Sequence, residues 1–321
     1  MLAAMPTLRR RRAASTAPRV VVLGDLMLDV VLAPARPLES GTDVPGSVAL
    51  RQGGSAANTA RWLARLGART TLIAAVGRDG AGRALVDAVR ADGVTARVAR
   101  IAGMPTGRIG VLLAPGGERS FVADRGAADR LPPGHVEVAW FRRVDAVHLP
   151  VYSLLTEPLA AAARRAIDLG RAAQAMISLD LASSGPLGAG GRRAAVAIVD
   201  AVHPDLLFAT VAETHAVLGS QPVERLLDVA HVAVVKRGAM GATVLARDGE
   251  RQLRFEVATG QLAVADTTGA GDAFDAGFLV SWLAARAGRR SPTASLRRSV
   301  LAGHRAATRQ LVAGTPELNL G

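Results

Sequence analysis

The sequence contains no cysteine, one tyrosine, one lysine and few aromatic side chains of any kind, 3% of 321 residues. Lack of cysteine excludes disulfides, thiolate metal sites and cysteine nucleophiles, and a reducing cytoplasm is the compartment it suits. With so few aromatics there are no stacking platforms for single-stranded nucleic acid. The net charge of +12 therefore does not indicate a specific nucleic-acid partner by itself. Every basic residue except Lys236 is Arg. The arginines are spread along helical stretches (Arg61, Arg65, Arg164, Arg165, Arg297, Arg298) beside abundant Ala, a pattern of GC-rich coding rather than of a binding patch. Long apolar runs are missing too. The longest, Val20 to Ala33, is interrupted by Asp25 and Asp29 and falls short of the roughly 20 residues that span a bilayer, so no membrane association is expected. Arg9 to Arg12 is followed by no apolar segment of a secretion signal. Residues 1–17 are expected to be a disordered basic tail, and residues 18–321 one globular unit.

Half of the residues are apolar, enough for a substantial core. Arg19 to Gly24 is a β-branched run ending at Gly, read as a buried strand. Ser55 to Leu66 has helical spacing and stops at Gly67; Thr70 to Val76 is the next strand and Gly82 to Ala91 the next helix. Ile109 to Leu113 and Arg119 to Ala123 flank Pro115-Gly116-Gly117, a hairpin signal. From Ala146 the rhythm is strand, helix, strand. Strands are expected at 146–149, 175–181, 206–209 and 232–236, and helices at 158–169, 192–199 and 212–218. A β-unit at 241–257 and two terminal helices, 272–287 and 296–311, complete the chain. This alternation predicts a parallel sheet covered by helices on both faces. The Pro- and Gly-rich segments near 33–51, read as loop with short exposed strands, and 98–123 do not fit that layer. They are expected to form a small β appendage.

Three segments carry chemistry. Asp266-Thr-Thr-Gly-Ala-Gly-Asp272 runs straight into an apolar helix. Backbone N–H groups at a helix start lack intrahelical partners and collect as an anion site. A carboxylate there is suited to accept a proton from a hydroxyl attacking bound phosphate; the plain alternative is an acidic N-cap. In the second segment, Gly53 and Gly54 let a ligand approach the backbone, and Asn58 follows on the first turns of a helix, where its amide can both donate to and accept from a polyol. In the third, Asp25 and Asp29 lie just past a buried strand's carboxyl end, where open α/β sheets place ligands and where carboxylates suit vicinal hydroxyls. Two solvated loop acids would read the same way.

Gly24-Asp-x-x-x-Asp29, Gly53-Gly-x-x-x-Asn58-x-Ala60 and Asp266-Thr-Thr-Gly-Ala-Gly-Asp-Ala-Phe274, in that order, resemble the PfkB, or ribokinase-like, carbohydrate kinases. The resemblance runs from about Arg19 to Thr315. It implies a three-layer α/β/α fold with a mainly parallel central sheet and a small β-sheet lid. The implied activity is ATP-dependent phosphorylation of a sugar hydroxyl on a ribose-, fructose- or 2-keto-3-deoxygluconate-like acceptor. A nucleoside kinase of the same family, or a catalytically silent sugar- or nucleotide-binding relative, is the alternative. By the resemblance, Asp272 is the general base, and the N–H groups of Gly269, Ala270 and Gly271 form the anion hole. Asp25, Asp29, Gly53, Gly54 and Asn58 bind the sugar. Lys236-Arg-Gly238-Ala-Met-Gly241 resembles the ATP loop. Thr210-Val-Ala-Glu213 stands where the family has Asn-x-x-Glu, with Glu213 ordering Mg2+ through water and Thr210 replacing the Asn. Asp266 resembles a position that in some members helps bind an activating monovalent cation, potassium. Glu118 to Ala127 resembles a substrate-contacting strand and turn. Within it Arg125 is a candidate for an acidic or phosphorylated substrate or a plain surface Arg. Tyr152 is a candidate for the pocket wall. A homodimer paired through the lids is what the resemblance implies for an assembly, while the residues themselves leave the oligomeric state open.

Overall fold

The computed structural model describes residues 17–114, 119–248, 251–260, 262, 266–286 and 292–319. Its first strand, β1 (Arg19–Leu23), alternates its side chains between two cores. Val21 and Leu23 join one apolar cluster and Val20 and Val22 the other, so the strand is buried on both faces. The chain continues through β2 (Met27–Pro34), β3 (Gly46–Gly53), α1 (Ser55–Arg65), β4 (Arg69–Gly77), α2 (Gly80–Ala91), β5 (Thr95–Ile101), β6 (Arg108–Leu113) and β7 (Arg119–Asp124). The middle of the chain is β8 (Ala146–Pro150), α3 (Leu159–Ala172), β9 (Met176–Asp180), α4 (Ser184–Gly188), α5 (Gly191–Val202), β10 (Leu206–Thr210) and α6 (Val211–Leu218). It closes with β11 (Val232–Lys236), β12 (Ala242–Asp248), β13 (Arg251–Val257), α7 (Ala270–Arg286) and α8 (Pro292–Ala313).

The main sheet has the order β13-β12-β11-β10-β9-β8-β1-β4-β5. Strands from β11 to β5 run parallel, and β12 and β13 add an antiparallel edge. One core lies under α3, α5 and α6, the other under α1, α2, α7 and α8, which makes the three layers. The chain leaves β1 on one side toward β4 and on the other toward β8. The carboxyl ends of the strands around that switch point form the crevice in which such sheets bind ligands.

A second sheet, β3-β2-β6-β7, stands apart. Its register puts Asp29 opposite Arg51 and Ile109, Val111 opposite Phe121, and Leu113 opposite Arg119. With a side-chain period of two, Asp29, Arg51, Val111 and Arg119 therefore share one face. Leu32, Val48 and Val122 share the other, where they are exposed (40%, 68% and 77%). Two expectations are adjusted here. Residues 33–51 carry the ends of two eight-residue strands rather than short exposed ones, and Asp29 sits on β2 itself. Val98 to Ile101 pairs with β4 as the edge of the main sheet, because its alternating burial fits a half-covered strand. The Pro115–Gly117 turn and residues 1–16 of the expected tail lie outside the described residues, as do residues 249–250 of the β-unit expected at 241–257 and residue 287 of the first terminal helix.

The last two helices fix the site. α7 crosses α8 with backbones in close approach: a Cβ on Gly277 would lie 2.6 Å from the carbonyl oxygen of Ala302. Phe274 and Phe278 then pack edge-on against Phe208 of β10, setting α7 on the sheet. Gly277→Val is expected to force the helices apart and destabilise the fold by about 2–3 kcal/mol, read as a lower urea midpoint at unchanged slope.

Candidate active site

Gly269, at φ 74°, turns the chain into α7, and Asp272 falls in the first helical turn. Its carboxylate is held from α1: Ser55 Oγ donates to Oδ1 at 2.7 Å and Asn58 Nδ2 to Oδ2 at 3.0 Å. Ser55 and Asn58 are three apart on a helix and so project from one face. The carboxyl is only half-buried by its own surface, but protein packs closely around it. Burial lifts its pKa from 3.8 to about 7, against the hydrogen bonds from Ser55 and Asn58, and the nearby Asp180 charge adds to the rise. This acid can therefore release and take up a proton near neutrality.

Toward the small sheet lies a second acid pair. Asp29 is buried, with its Oδ1 lacking a partner, and its pKa is also raised to about 7 by burial and by Asp25 and Asp272. Gly53 is required beside it, since a Cβ there would stand 1.8 Å from Asp29 Oδ1. Gly54 is the residue before α1 and packs on the backbone of Asp25. Asp25 accepts from Ala56 N–H at 3.0 Å and from Arg125 Nη1 at 3.4 Å. Arg125 also donates to Asp129 and lies over the Tyr152 ring, 4.8 Å from its centroid. Its Nη2 is buried without a partner. Asp25, Asp29, Gly53, Gly54, Asn58, Arg125 and Tyr152 are thus brought to one side of Asp272.

On the other side opens a cleft of about 720 Å³. It is lined by Thr210, Lys236, Gly238, Gly241, Ala270, Gly271 and Phe274, among others. Thr210 and Glu213 cap α6 reciprocally: Glu213 N–H donates to Thr210 Oγ1 and Thr210 N–H to Glu213 Oε2. Thr therefore replaces Asn without loss of the cap. Lys236 lines the cleft, but its ammonium is tied to buried acids. Its ammonium donates to Asp180 at 3.0 Å and to both oxygens of Asp275. Burial alone would lower its pKa; Asp180, Asp275 and Glu213 more than reverse that. Burial raises the Asp275 pKa well above its ordinary value despite Lys236, and raises that of Glu213 with help from Asp180. Lys236 and the two acids it pairs thus form one buried ionic group with Glu213 nearby, and no group of three or more acidic or His side chains among the described residues is placed to hold a metal ion.

Between the two sides, the turn that begins at Asp266 is tied to the small sheet. Arg51 Nη1 donates to Asp266 Oδ2 at 2.9 Å, and Arg119 donates to the hydroxyls of Thr268 (2.8 Å) and Thr267 (2.5 Å). Sequence reasoning overlooked five of the polar groups here: Ser55, Asp180, Asp275, Arg51 and Arg119. Ser55 shares a helix face with Asn58, Asp275 lies one turn after Asp272, and Asp180 ends a buried strand, so these three carried a signal. The two arginines carried none among so many.

A protein-family model described as pfkB family carbohydrate kinase matches residues 17–314. The chain belongs to that family. Fructokinase-1 of Oryza sativa subsp. japonica is 30% identical, the match covering 79% of this chain and 80% of that one. The ATP-dependent ribose-1-phosphate kinase of Halopiger xanaduensis is also 30% identical, over 83% and 85%. Among solved structures, adenosine kinase from Sinorhizobium meliloti superposes with a TM-score of 0.79 at 24% identity, over 92% of this chain and 94% of that one. The pfkB membership makes the chain an ATP-dependent carbohydrate kinase, and its layers are those of the ribokinase-like fold. Among the described residues no helix is long and apolar enough to cross a membrane.

The raised Asp272 pKa has a consequence for stability. The unfolded carboxyl loses its proton near pH 4 and the folded one near pH 7. Stability contributed by this group is therefore greatest in acid and falls as pH rises through that window. Asp272→Asn is expected to melt about 3 °C or more above the wild type at pH 8 and level with it at pH 4, followed by circular dichroism. An equal difference at both pH values would contradict the assignment.

Proposed function

We propose that the chain transfers the γ-phosphoryl group of ATP to a hydroxyl of a small sugar or sugar acid, with Asp272 as general base. One observation carries this reading: a carboxylate that titrates near neutrality stands between an acid-lined polar side and a nucleotide-sized cleft. Asp29 and Asn58 would orient the acceptor, with Asp25, Gly53 and Gly54 shaping its seat. Asp272 takes the hydroxyl proton as the oxygen bonds to the γ-phosphorus, and the bond from that phosphorus to the β-γ bridging oxygen breaks, its electron pair leaving with ADP. The N–H groups of Gly269, Ala270 and Gly271, at the positive end of α7, meet the charge that grows on the transferring group. Thr210, Gly238 and Gly241 wall the nucleotide cleft, and Lys236 acts from beneath through the carboxylates it pairs.

Magnesium, when bound with ATP, would offset the phosphate charge; Glu213 is the residue proposed to hold it through water, with Asp180 beside it. Arg125 covers one face of the Tyr152 ring, which takes that face from stacking on a base and supports a sugar over a nucleoside. The unpartnered Nη2 of Arg125 supports an acceptor bearing a carboxylate or phosphate. Exposed Leu32, Val48 and Val122 on the outer face of the small sheet support pairing of two copies through their lids, and the cytoplasm is the compartment proposed.

An acceptor panel of ribose, fructose, 2-keto-3-deoxygluconate, phosphorylated pentoses and nucleosides, read by ADP formation, tests the reading. Turnover is expected with a sugar or sugar acid. Tight binding with no acceleration by any acceptor would point instead to a silent binding relative. With the true acceptor, Asp272→Asn should lose on the order of a thousandfold in kcat while ATP still binds. For the wild type, kcat/KM should fall about tenfold per pH unit on the acid side of neutrality, because protonated Asp272 cannot act as base.

A further inference from the structure

We propose that Arg51 and Arg119 serve as a built-in cation for the turn that begins at Asp266, so that this kinase works without a monovalent metal ion. The inference rests on the kinase reading above. Asp266 was the residue expected to help bind potassium, and its surroundings do not fit that ion. An alkali cation needs oxygen atoms with free lone pairs directed at it. Here Asp266 Oδ1 accepts from Thr268 N–H at 2.9 Å and lies 3.7 Å from Arg119 Nη1, and Oδ2 accepts from Arg51 Nη1 at 2.9 Å. The Thr268 carbonyl accepts from Gln310 Nε2 at 3.1 Å, and the Thr267 and Thr268 hydroxyls accept from Arg119. Each polar side chain of the turn therefore faces an N–H donor, and a metal ion placed on Asp266 would meet two guanidinium groups of its own sign.

The space beside the turn gives an independent reason. Between α1 and α8, the cavity lined by Asn58, Trp62, Gly269, Gln310, Gly314 and Thr315 measures about 10 Å³. That is at the lower limit for a single water, which leaves no room for an ion that keeps water among its ligands. Gln310 fills the gap, accepting from Trp62 Nε1 at 3.0 Å while donating to the turn.

Both arginines come from the face of the small sheet that also carries Asp29. Arg51 lies opposite Asp29 and its charge opposes the rise in the Asp29 pKa. The same cation thus faces the acid proposed for the sugar and neutralises the acid that shapes the anion turn. A guanidinium stays charged at every pH at which the fold survives. Arg51 and Arg119 are positioning residues: they hold the turn on which Ala270 and Gly271 present their N–H groups.

The test compares potassium, sodium and choline chlorides. Wild-type ADP release with the acceptor found should agree in all three to within about a factor of two at matched ionic strength. Arg51→Ala should lose on the order of tenfold to a hundredfold, chiefly in kcat, through misplacement of the turn. Guanidinium chloride at millimolar levels or potassium should restore part of that loss, and Arg51→Lys should fall between. Melting temperatures give a readout that needs no turnover: potassium should shift the wild type no more than choline does, and should raise Arg51→Ala specifically. Potassium-specific stabilisation or activation of the wild type would overturn the proposal, as would an Arg51→Ala enzyme with full kcat. If no acceptor is phosphorylated at all, the kinase reading fails while the melting comparison still decides the cation question.

Discussion

Two hydrogen bonds across the interior organise this molecule. Ser55 and Asn58 on α1 hold the carboxylate of Asp272 on α7, residues 217 and 214 positions away in the chain. The bonds join the half that carries Asp25 and Asp29 to the half that carries the nucleotide-sized cleft. They also act where water is scarce, so they only partly offset the cost of ionising Asp272. The carboxyl is left near neutrality, which is where a proton acceptor works best. The α7–α8 crossing at Gly277 and the Phe208–Phe274–Phe278 packing keep the two helices at the separation those bonds require.

Charge is arranged around that centre in two layers. Below it, Lys236 is shared by Asp180 and Asp275 with Glu213 close by, a buried ionic group whose members would each be costly alone. Above it, the small sheet contributes both signs from one face. Asp29, Arg51 and Arg119 face the same way only because the register of β2, β3, β6 and β7 is what it is. A slip of one residue in any of their three strands would turn that strand's charged group to the outer face. The small sheet is thus an electrostatic part of the site, as well as a cover for it. Its guanidinium groups tie the turn that begins at Asp266 to the sheet ahead of α7.

Much of the main sheet was legible because buried parallel strands are β-branched and helices announce themselves by period and by glycine stops. β1, β8 and β11 fall where composition puts them. β2 was harder, since its apolar run does not alternate cleanly and its acids suggested a loop. β5 was assigned to the appendage because Arg97 and Arg100 make it look like surface, yet a half-covered edge strand tolerates them. In the site, Asp272, Asn58, Gly53 and Asp29 were legible from spacing. Asp180 and Asp275 sit at a strand end and one helical turn from Asp272, signals visible only once the site is known. Arg51 and Arg119 could not be picked from so many arginines, because nothing local distinguishes an arginine that meets Asp266 from one that meets water.

Most of the order of strands and helices, the small-residue turn before α7 and the family could be read from the sequence alone, because each depends on residues adjacent or periodic along the chain. The partners of the charged groups were decided only by tertiary structure. Lys236 read as part of an ATP loop and lies between two buried acids; Asp266 read as a cation ligand and meets two guanidinium groups. A side chain's type is local, but the field it sits in is summed over neighbours that the fold brings from hundreds of residues away.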